Sequence, residues 1–452
     1  MKLKPPQFVA LSFLLAILTG SALLCLPIAQ VNGRFTSYLD CLFIATSATC
    51  VTGLTTVDIG STFSRFGQLV ILFFIQIGGL GIMTFSTVFA ILLGRKLTIR
   101  QNVIVQSALD QTKVEGLTGL IFHIVVITLI VEAVGIGILY LRWKNLLEFE
   151  PTLTLYYAVF HGVSAFCNAG LSLFPDNLHQ FRFDPITIFT ASSLIILGGL
   201  GFIVLLDIPK MKFWRKDRAL IFARLNLQTK VAITVTFYLL LVGTVLIYLF
   251  ECKGGLSEFA SFGEKLMNAF FLAVTPRTAG FNAVFIRELS TTALFLIMAL
   301  MFIGASPGGT GGGIKTTTFG ILLASIRSMV RGKDELTLFE RTVPKTIFHK
   351  SVIIFVLSLA WIVVATFLLT ISDRNLATAT NFFMQLLFEV TSAFGTVGLS
   401  TGITPLLSPV GKLIIIITMY LGRIGPLTLA MAIAMRAVTV EYKYPEEKIM
   451  VG

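Results

Sequence analysis

A chain of 452 residues with 55% hydrophobic and only 13% charged residues cannot build a water-soluble surface, for which roughly a quarter charged is usual. The same composition is too apolar for a disordered chain. The excess of 35 Lys+Arg over 23 Asp+Glu, net +12, reads as the basic bias of the cytoplasmic loops of a multi-pass membrane protein, with no nucleic-acid partner.

Taken in chain order, long apolar stretches at 8–29, 66–93, 117–141, 184–207, 229–250, 290–328, 349–371 and 410–436 predict eight spanning helices for a hydrocarbon core of about 30 Å. The first follows Met1, Lys2 and Lys4 as a signal peptide would, but it is long enough to span and is expected to stay in the mature protein. Between successive pairs lie shorter apolar segments at 37–49, 153–167, 263–275 and 379–394, each running into a Gly/Thr/Ser-rich stretch. They are too short to span. Irregular backbone at membrane depth is tolerated only against protein or a water-filled cavity, so these are expected to be re-entrant loops.

The four loops align. The first contains Thr49, Cys50, Val51, Thr52 and Gly53; the second Phe166, Cys167, Asn168, Ala169 and Gly170. The third contains Thr275, Pro276, Arg277, Thr278, Ala279 and Gly280, and the fourth Gly395, Thr396, Val397 and Gly398. The aligned glycines stand 117, 110 and 118 residues apart, close to a quarter of the chain, 113. A second echo follows 24 to 28 residues later at Gly78, Gly198, Gly304 and Gly422. The expected fold class is therefore an all-α polytopic membrane protein of four repeated helix–pore-loop–helix units around one pore. The unit boundaries are set at 1–94, 95–209, 210–331 (with a Gly-rich broken helix) and 332–452 (with a C-terminal tail). The linkers 94–116, 207–230 and 331–350 carry 16 Lys/Arg, which predicts that they and both termini are cytoplasmic, in the cell's inner (plasma) membrane.

Loop glycines let successive carbonyls turn toward one axis, and rings of carbonyl oxygens can replace the hydration shell of a monovalent cation. The short helices direct their partly negative C-terminal ends to the same place. The sixth spanning segment is interrupted by Gly304, Ala305, Ser306, Pro307, Gly308, Gly309, Thr310, Gly311, Gly312 and Gly313, with Lys315 just beyond. A phosphate-binding loop is rejected there, because Ile314 intervenes before Lys315 and Thr316 and no strand precedes it. The place suits a gate below the filter. Arg423 stands where the other units have Gly79, Gly199 and Ala305; a charge so deep serves as an electrostatic barrier or as an anchor for the Gly-rich loop. Arg277 and Glu389 are a candidate ion pair behind the filter, and Glu132 is isolated within its helix.

No hydrolase, protease or clustered His/Cys/Asp motif is present, so no enzyme is expected. The five cysteines, Cys25, Cys41, Cys50, Cys167 and Cys252, have neither disulfide nor metal-ligand spacing. The other class to weigh is a cation-coupled secondary transporter for another small solute. It would need ionisable residues on several helices, and beyond Glu132 and Arg423 few are found.

These residues resemble the Trk/Ktr/HKT superfamily of potassium transporters over essentially the whole chain. The strings 275–281 and 306–316 are its most specific motifs here. With eight spans, the chain is most similar to the bacterial membrane subunit of Ktr systems. The resemblance implies uptake of K+ as the transported ion, with Na+ as a coupling or activating ion. It implies backbone ligation by the loop residues 49–53, 166–170, 277–280 and 395–398, and gating by 304–313 with Lys315 and Arg423. It also implies a homodimer, one pore per chain, on a cytosolic ring of RCK-domain nucleotide-binding subunits, with no nucleotide bound by this chain itself. The basic stretch from Lys210 to Arg224 is either a docking face for that ring or a purely topological signal that holds the linker on the cytoplasmic side. Some members that pass Na+ carry Ser at the first loop glycine, so the resemblance implies that Gly53 favours K+.

Overall fold

The computed structural model describes residues 5–31, 36–81, 117–208, 225–332, 335–376, 381–426 and 428. The unit boundaries near 94 and 209, and the stretch from Lys210 to Arg224, lie outside or at the edge of these residues. The described chain is helical apart from one two-stranded hairpin, Thr337–Leu338 with Arg341–Thr342.

Four similar segments follow one another. The first has an outer helix α1 (Pro5–Leu24), a short helix α2 (Tyr38–Cys50) and an inner helix α3 (Arg65–Leu80). The second has α4 (Leu117–Leu146), α5 (Pro151–Phe166), and an inner helix split into α6 (Pro185–Leu200) and α7 (Phe202–Asp207). The third has α8 (Leu227–Glu251), α9 (Phe262–Val274), α10 (Thr291–Phe302) and α11 (Thr316–Val330). The fourth has α12 (Lys345–Ser372), α13 (Phe382–Gly395) and α14 (Pro409–Ile424). Among the described residues, only the outer helices α1, α4, α8 and α12 are continuous, long and apolar enough to cross a membrane. They leave large side chains such as Leu15, Phe122, Phe237 and Phe367 more than half exposed. Apolar residues on the outside as well as the inside are what lipid solvent requires.

Among the described residues, each inner helix comes to an end near the second aligned glycine. Helices α3, α6 and α14 stop at Gly81, Gly201 and Gly425, each at φ between 84° and 93°. The break expected only in the third segment is thus also present in the second, where the helix resumes at Phe202, and the third has expanded it into a loop.

The second aligned glycines have a packing reason. A Cβ on Gly78 would lie 2.2 Å from the Thr49 carbonyl oxygen, one on Gly198 1.9 Å from that of Phe166, and one on Gly422 2.0 Å from that of Phe394. Each inner helix therefore rests its backbone on the last turn of a short helix, an approach that no larger residue permits. In the third segment Gly304 meets the Gly312 carbonyl of its own loop instead, at 2.2 Å. The loop occupies the contact that the other segments give to a short helix.

The start of each inner helix is capped and tied to the end of its outer helix. Ser64, Asp184, Ser290 and Ser408 each accept a bond from the N–H three residues on, satisfying an orphan donor. Ser64 Oγ donates to the Ile28 carbonyl at 2.6 Å, and Arg142 binds Asp184 at 2.8 Å. Glu251 accepts from the Ser290 N–H at 2.9 Å, and Asp373 from the Ser408 N–H at 2.5 Å. The first and last segments close on each other through Lys412–Asp40 at 2.7 Å and the Tyr420 hydroxyl donating to the Ala10 carbonyl at 2.7 Å. One apolar cluster joins Ile17, Phe43 and Leu54 to Ile362, Leu386 and Phe394, so the bundle is a closed ring of segments.

Candidate functional site

Each short helix runs straight into a loop strand, and the four strands share one backbone pattern. The residue two before each aligned glycine is left-handed: Val51 (φ 56°), Asn168 (φ 59°), Thr278 (φ 72°) and Thr396 (φ 50°). The glycines follow at φ 98°, 65°, 74° and 93° for Gly53, Gly170, Gly280 and Gly398. Left-handed non-glycine residues cost of order 1 kcal/mol each, and four at matched positions mark a built geometry.

The strands are braced from behind. The Thr52, Ala169 and Val397 N–H groups donate to the carbonyls of Ser47, Ser164 and Ser392 at 2.7–2.8 Å. The Gly53 and Gly398 N–H groups donate to the Ser47 and Ser392 hydroxyls at 3.0 and 3.1 Å. In the second strand Ser164 Oγ donates to the Leu171 carbonyl at 2.8 Å. The third strand carries Pro276, which has no N–H, and there Thr275 takes over: its carbonyl accepts from Ala279 at 2.9 Å and its hydroxyl donates to the Phe281 carbonyl at 2.5 Å.

The strands meet in chain order around a single ring. A Cβ on Gly53 would lie 2.6 Å from the Ala169 carbonyl oxygen, and one on Gly170 2.5 Å from that of Ala279. One on Gly280 would lie 2.4 Å from the Val397 oxygen, and one on Gly398 2.2 Å from that of Thr52. First touches second, second third, third fourth, and fourth first. Four carbonyls from four quarters of the chain are thereby gathered within one small ring, at the C-terminal ends of four short helices.

Nine residues before the glycine, the second and fourth segments place polar side chains, and both pin a serine two residues beyond it. His161 Nε2 is hydrogen-bonded to Ser172 Oγ at 3.0 Å, and Glu389 accepts from Ser400 Oγ at 2.9 Å and also from the Thr404 hydroxyl. The expected Arg277–Glu389 pair is therefore not formed. Glu389 is already satisfied within its own segment, and Arg277 Nε and Nη1 are buried without a hydrogen-bond partner among the described residues. The matched His161–Ser172 and Glu389–Ser400 spacings were the available sequence signal. In the loop after the second strand, His179 stacks on Phe285 with centroids 4.0 Å apart. Its pKa is lowered, by partial burial first and by Arg182 next, so the ring is neutral at pH 7.

The Gly-rich stretch 304–313 lies against this ring. The Gly312 N–H donates to Thr396 Oγ1 at 2.9 Å, and a Cβ on Gly311 would lie 1.8 Å from Thr278 Oγ1. Thr278 and Asn168 are themselves hydrogen-bonded at 3.2 Å. The second segment holds the loop from the side: the Ser306 and Thr310 N–H groups donate to the Gly199 and Gly198 carbonyls at 2.9 and 3.2 Å, and Thr310 Oγ1 donates to the Phe166 carbonyl at 3.3 Å. The Gly308 carbonyl accepts from the Phe202 N–H at 2.9 Å, and the loop's own ends pair through Gly304 N–H to the Ile314 carbonyl at 2.8 Å.

Two cations cap the loop's carbonyls. Lys315 Nζ donates to the Gly311 carbonyl at 2.8 Å. Arg423 donates through Nη1 to the Thr310 carbonyl and through Nη2 to the Gly78 carbonyl. Of the two roles weighed for Arg423, barrier or ion-pair anchor, the geometry is that of an anchor, but its partners are main-chain carbonyls of the loop and of the first segment's inner helix and not an acidic side chain. Arg423 does not turn out of the bundle.

The cation transport protein family TrkH matches residues 17–439. The potassium/sodium uptake protein NtpJ of Enterococcus hirae is 38% identical over 100% of this chain and 98% of its own length. The Ktr system potassium uptake proteins B of Vibrio alginolyticus and Bacillus subtilis are 40% and 38% identical, each over 99% of this chain and 95% and 97% of their own lengths. The crystal structure of the potassium transporter TrkH from Vibrio parahaemolyticus shares the fold, with a TM-score of 0.69 and 18% identity over 94% of this chain and 83% of that one.

Proposed function

From its membership of the TrkH family of cation transport proteins, we propose that this multi-pass membrane protein takes up K+ across the cell membrane as the ion-conducting subunit of a Ktr-type system. The observation that carries the reading is the closed ring in which each strand glycine abuts the next strand's carbonyl.

A K+ ion entering the ring exchanges water oxygens for carbonyl oxygens of residues 49–53, 166–170, 277–280 and 395–398. The close approaches at the four glycines leave the strands little room to shift sideways, and the short-helix ends add negative potential at the same point. Below the ring, residues 304–313 form the gate in this reading. Gly311 and Gly312 lie against Thr278 and Thr396, and the Lys315 and Arg423 charges oppose a cation while the loop is in place. Na+ acts as a coupling or activating ion, a reading favoured by the potassium/sodium name of the Enterococcus hirae relative. The four units, the cytoplasmic termini, a homodimer and a cytosolic RCK-domain ring that binds nucleotide and moves the gate complete the proposal. The Ktr-system names of the relatives support a partner subunit.

Expressed with its cytosolic partner in a host lacking K+ uptake, the chain is expected to restore growth at low K+ and to carry Rb+ inward. Loss of both would overturn the reading. Gly53→Ser is expected to cut the preference for K+ over Na+ severalfold, because the Ser Cβ is driven toward the Ala169 carbonyl oxygen, 2.6 Å away. An unaltered permeability ratio would remove the selectivity role from the ring.

A further inference from the structure

Behind the second strand lies a buried cluster of polar side chains, Glu132, Gln76 and the Cys167 thiol, that the backbone ligation described above does not use. Glu132 sits at the middle of α4 and is 4% exposed. It is the one acidic residue in the interior of any outer helix: α1 and α12 have none, and α8 has Glu251 at its last position. Gln76 Nε2, from α3 of the first segment, donates to Glu132 Oε1 at 3.1 Å and lies 3.4 Å from Oε2. The Cys167 thiol lies 3.5 Å from Gln76 Oε1 and 3.9 Å from Glu132 Oε1. A Cβ on Gly79 would be 2.5 Å from the Cys167 sulfur, so the thiol is held between α3 and α4. Cys167 belongs to the strand itself, three residues before Gly170. The carboxylate is thus one side chain removed from the carbonyl ring.

Burying a carboxylate is costly unless a cation offsets it. Glu132 makes no ion pair among the described residues; an amide and a thiol are its partners. In the third strand the place of Cys167, three residues before the glycine, is taken by Arg277, buried and with two nitrogens without a hydrogen-bond partner among the described residues. The ring is therefore flanked by an acidic side chain behind one strand and a basic one in the next, an asymmetry that the four-fold backbone does not have.

We propose that Glu132 is a specificity-determining positioning residue whose counter-charge is the cation held in the ring, and that Gln76 fixes the carboxylate behind the Cys167 strand. The inference rests on the reading of that ring as the ion filter. A carboxylate kept close in a low-dielectric setting strengthens cation occupancy, and its tie to Cys167 limits how far the second strand can relax around a smaller ion.

The test uses the full chain with its cytosolic partner in liposomes. Half-saturating Rb+, the K+/Na+ permeability ratio and the thermal midpoint are measured for wild type, Glu132→Gln, Glu132→Asp and Gln76→Ala. Glu132→Gln keeps the shape and removes the charge. It is expected to raise half-saturating Rb+ about five- to tenfold, the change of a nearby charge partly screened by protein, and to lower the permeability ratio at an unchanged thermal midpoint. Glu132→Asp is expected to restore most of the affinity, and Gln76→Ala to reproduce part of the loss. Wild-type affinity and selectivity in Glu132→Gln would overturn the proposal, as would a fall in thermal midpoint with no change in affinity; either marks a packing role. If Gly53→Ser shifts selectivity while Glu132→Gln does not, only this inference fails. If neither does, the filter reading fails with it.

Discussion

Gly398→Ala is expected to abolish Rb+ uptake while leaving the protein in the membrane at near-normal levels. Two independent effects act at this position. The glycine has φ 93°, outside what an alanine adopts without strain of order 1–3 kcal/mol. The new methyl would also lie 2.2 Å from the Thr52 carbonyl oxygen and within 3.0 Å of the Gly53 backbone. Its neighbours there are backbone atoms, which no rotamer change can clear. The fourth strand must move away from the first, and one carbonyl leaves the ring. If the carbonyls ligate the ion together, as proposed, a displacement of a few tenths of an ångström costs far more in function than in stability. Uptake assayed beside a thermal melt separates the two: activity at least a tenth of wild type would remove Gly398 from the conducting path.

Deleting Gly309–Gly313 is expected to have the opposite sign and raise flux by an order of magnitude or more. Losses and gains compete here. The deletion forfeits the bonds from Thr310 to Gly198 and Phe166, from Gly312 to Thr396, and from Arg423 to Thr310, each worth about 1 kcal/mol net. Those groups would then face a cavity where water can replace the loop. The gain is removal of the backbone lying against Thr278 and Thr396. Occlusion is all-or-none for an ion, whereas the lost bonds are replaceable, so the gain governs the rate. Rb+ flux into K+-loaded liposomes without the cytosolic partner is the measurement. Unchanged or slower flux would take the gate role from the loop.

The sequence reading and the structure agree most closely where a repeat could be counted. The short helices were placed at 37–49, 153–167, 263–275 and 379–394 and occur at Tyr38–Cys50, Pro151–Phe166, Phe262–Val274 and Phe382–Gly395. Apolar runs ending in glycine leave little choice of boundary. The helix ends at Gly81, Gly201 and Gly425 were not foreseen, because one glycine in an apolar run reads equally as a close helix contact. Each is in fact a change of backbone hand. The Arg277–Glu389 pairing failed for another reason: charge complementarity says who could attract whom, but not that Ser400 and Thr404 already saturate Glu389. The bonds that give Arg423 its place depend on carbonyls at Gly78 and Thr310, 345 and 113 positions away, and main-chain acceptors leave no trace in side-chain chemistry.

The chain-order closure of the ring also governs how the protein can be made. Neighbouring strands are separated by over a hundred residues, and the last joins the first across nearly the whole polypeptide, with Lys412 reaching back to Asp40. Outer helices can enter the bilayer one by one as they are synthesised, but the ring of strand carbonyls is incomplete until the final quarter arrives. Contacts of such sequence separation form slowly. The first quarter must therefore wait in the lipid with its Thr52 carbonyl, which ends up against Gly398, not yet covered by the fourth strand.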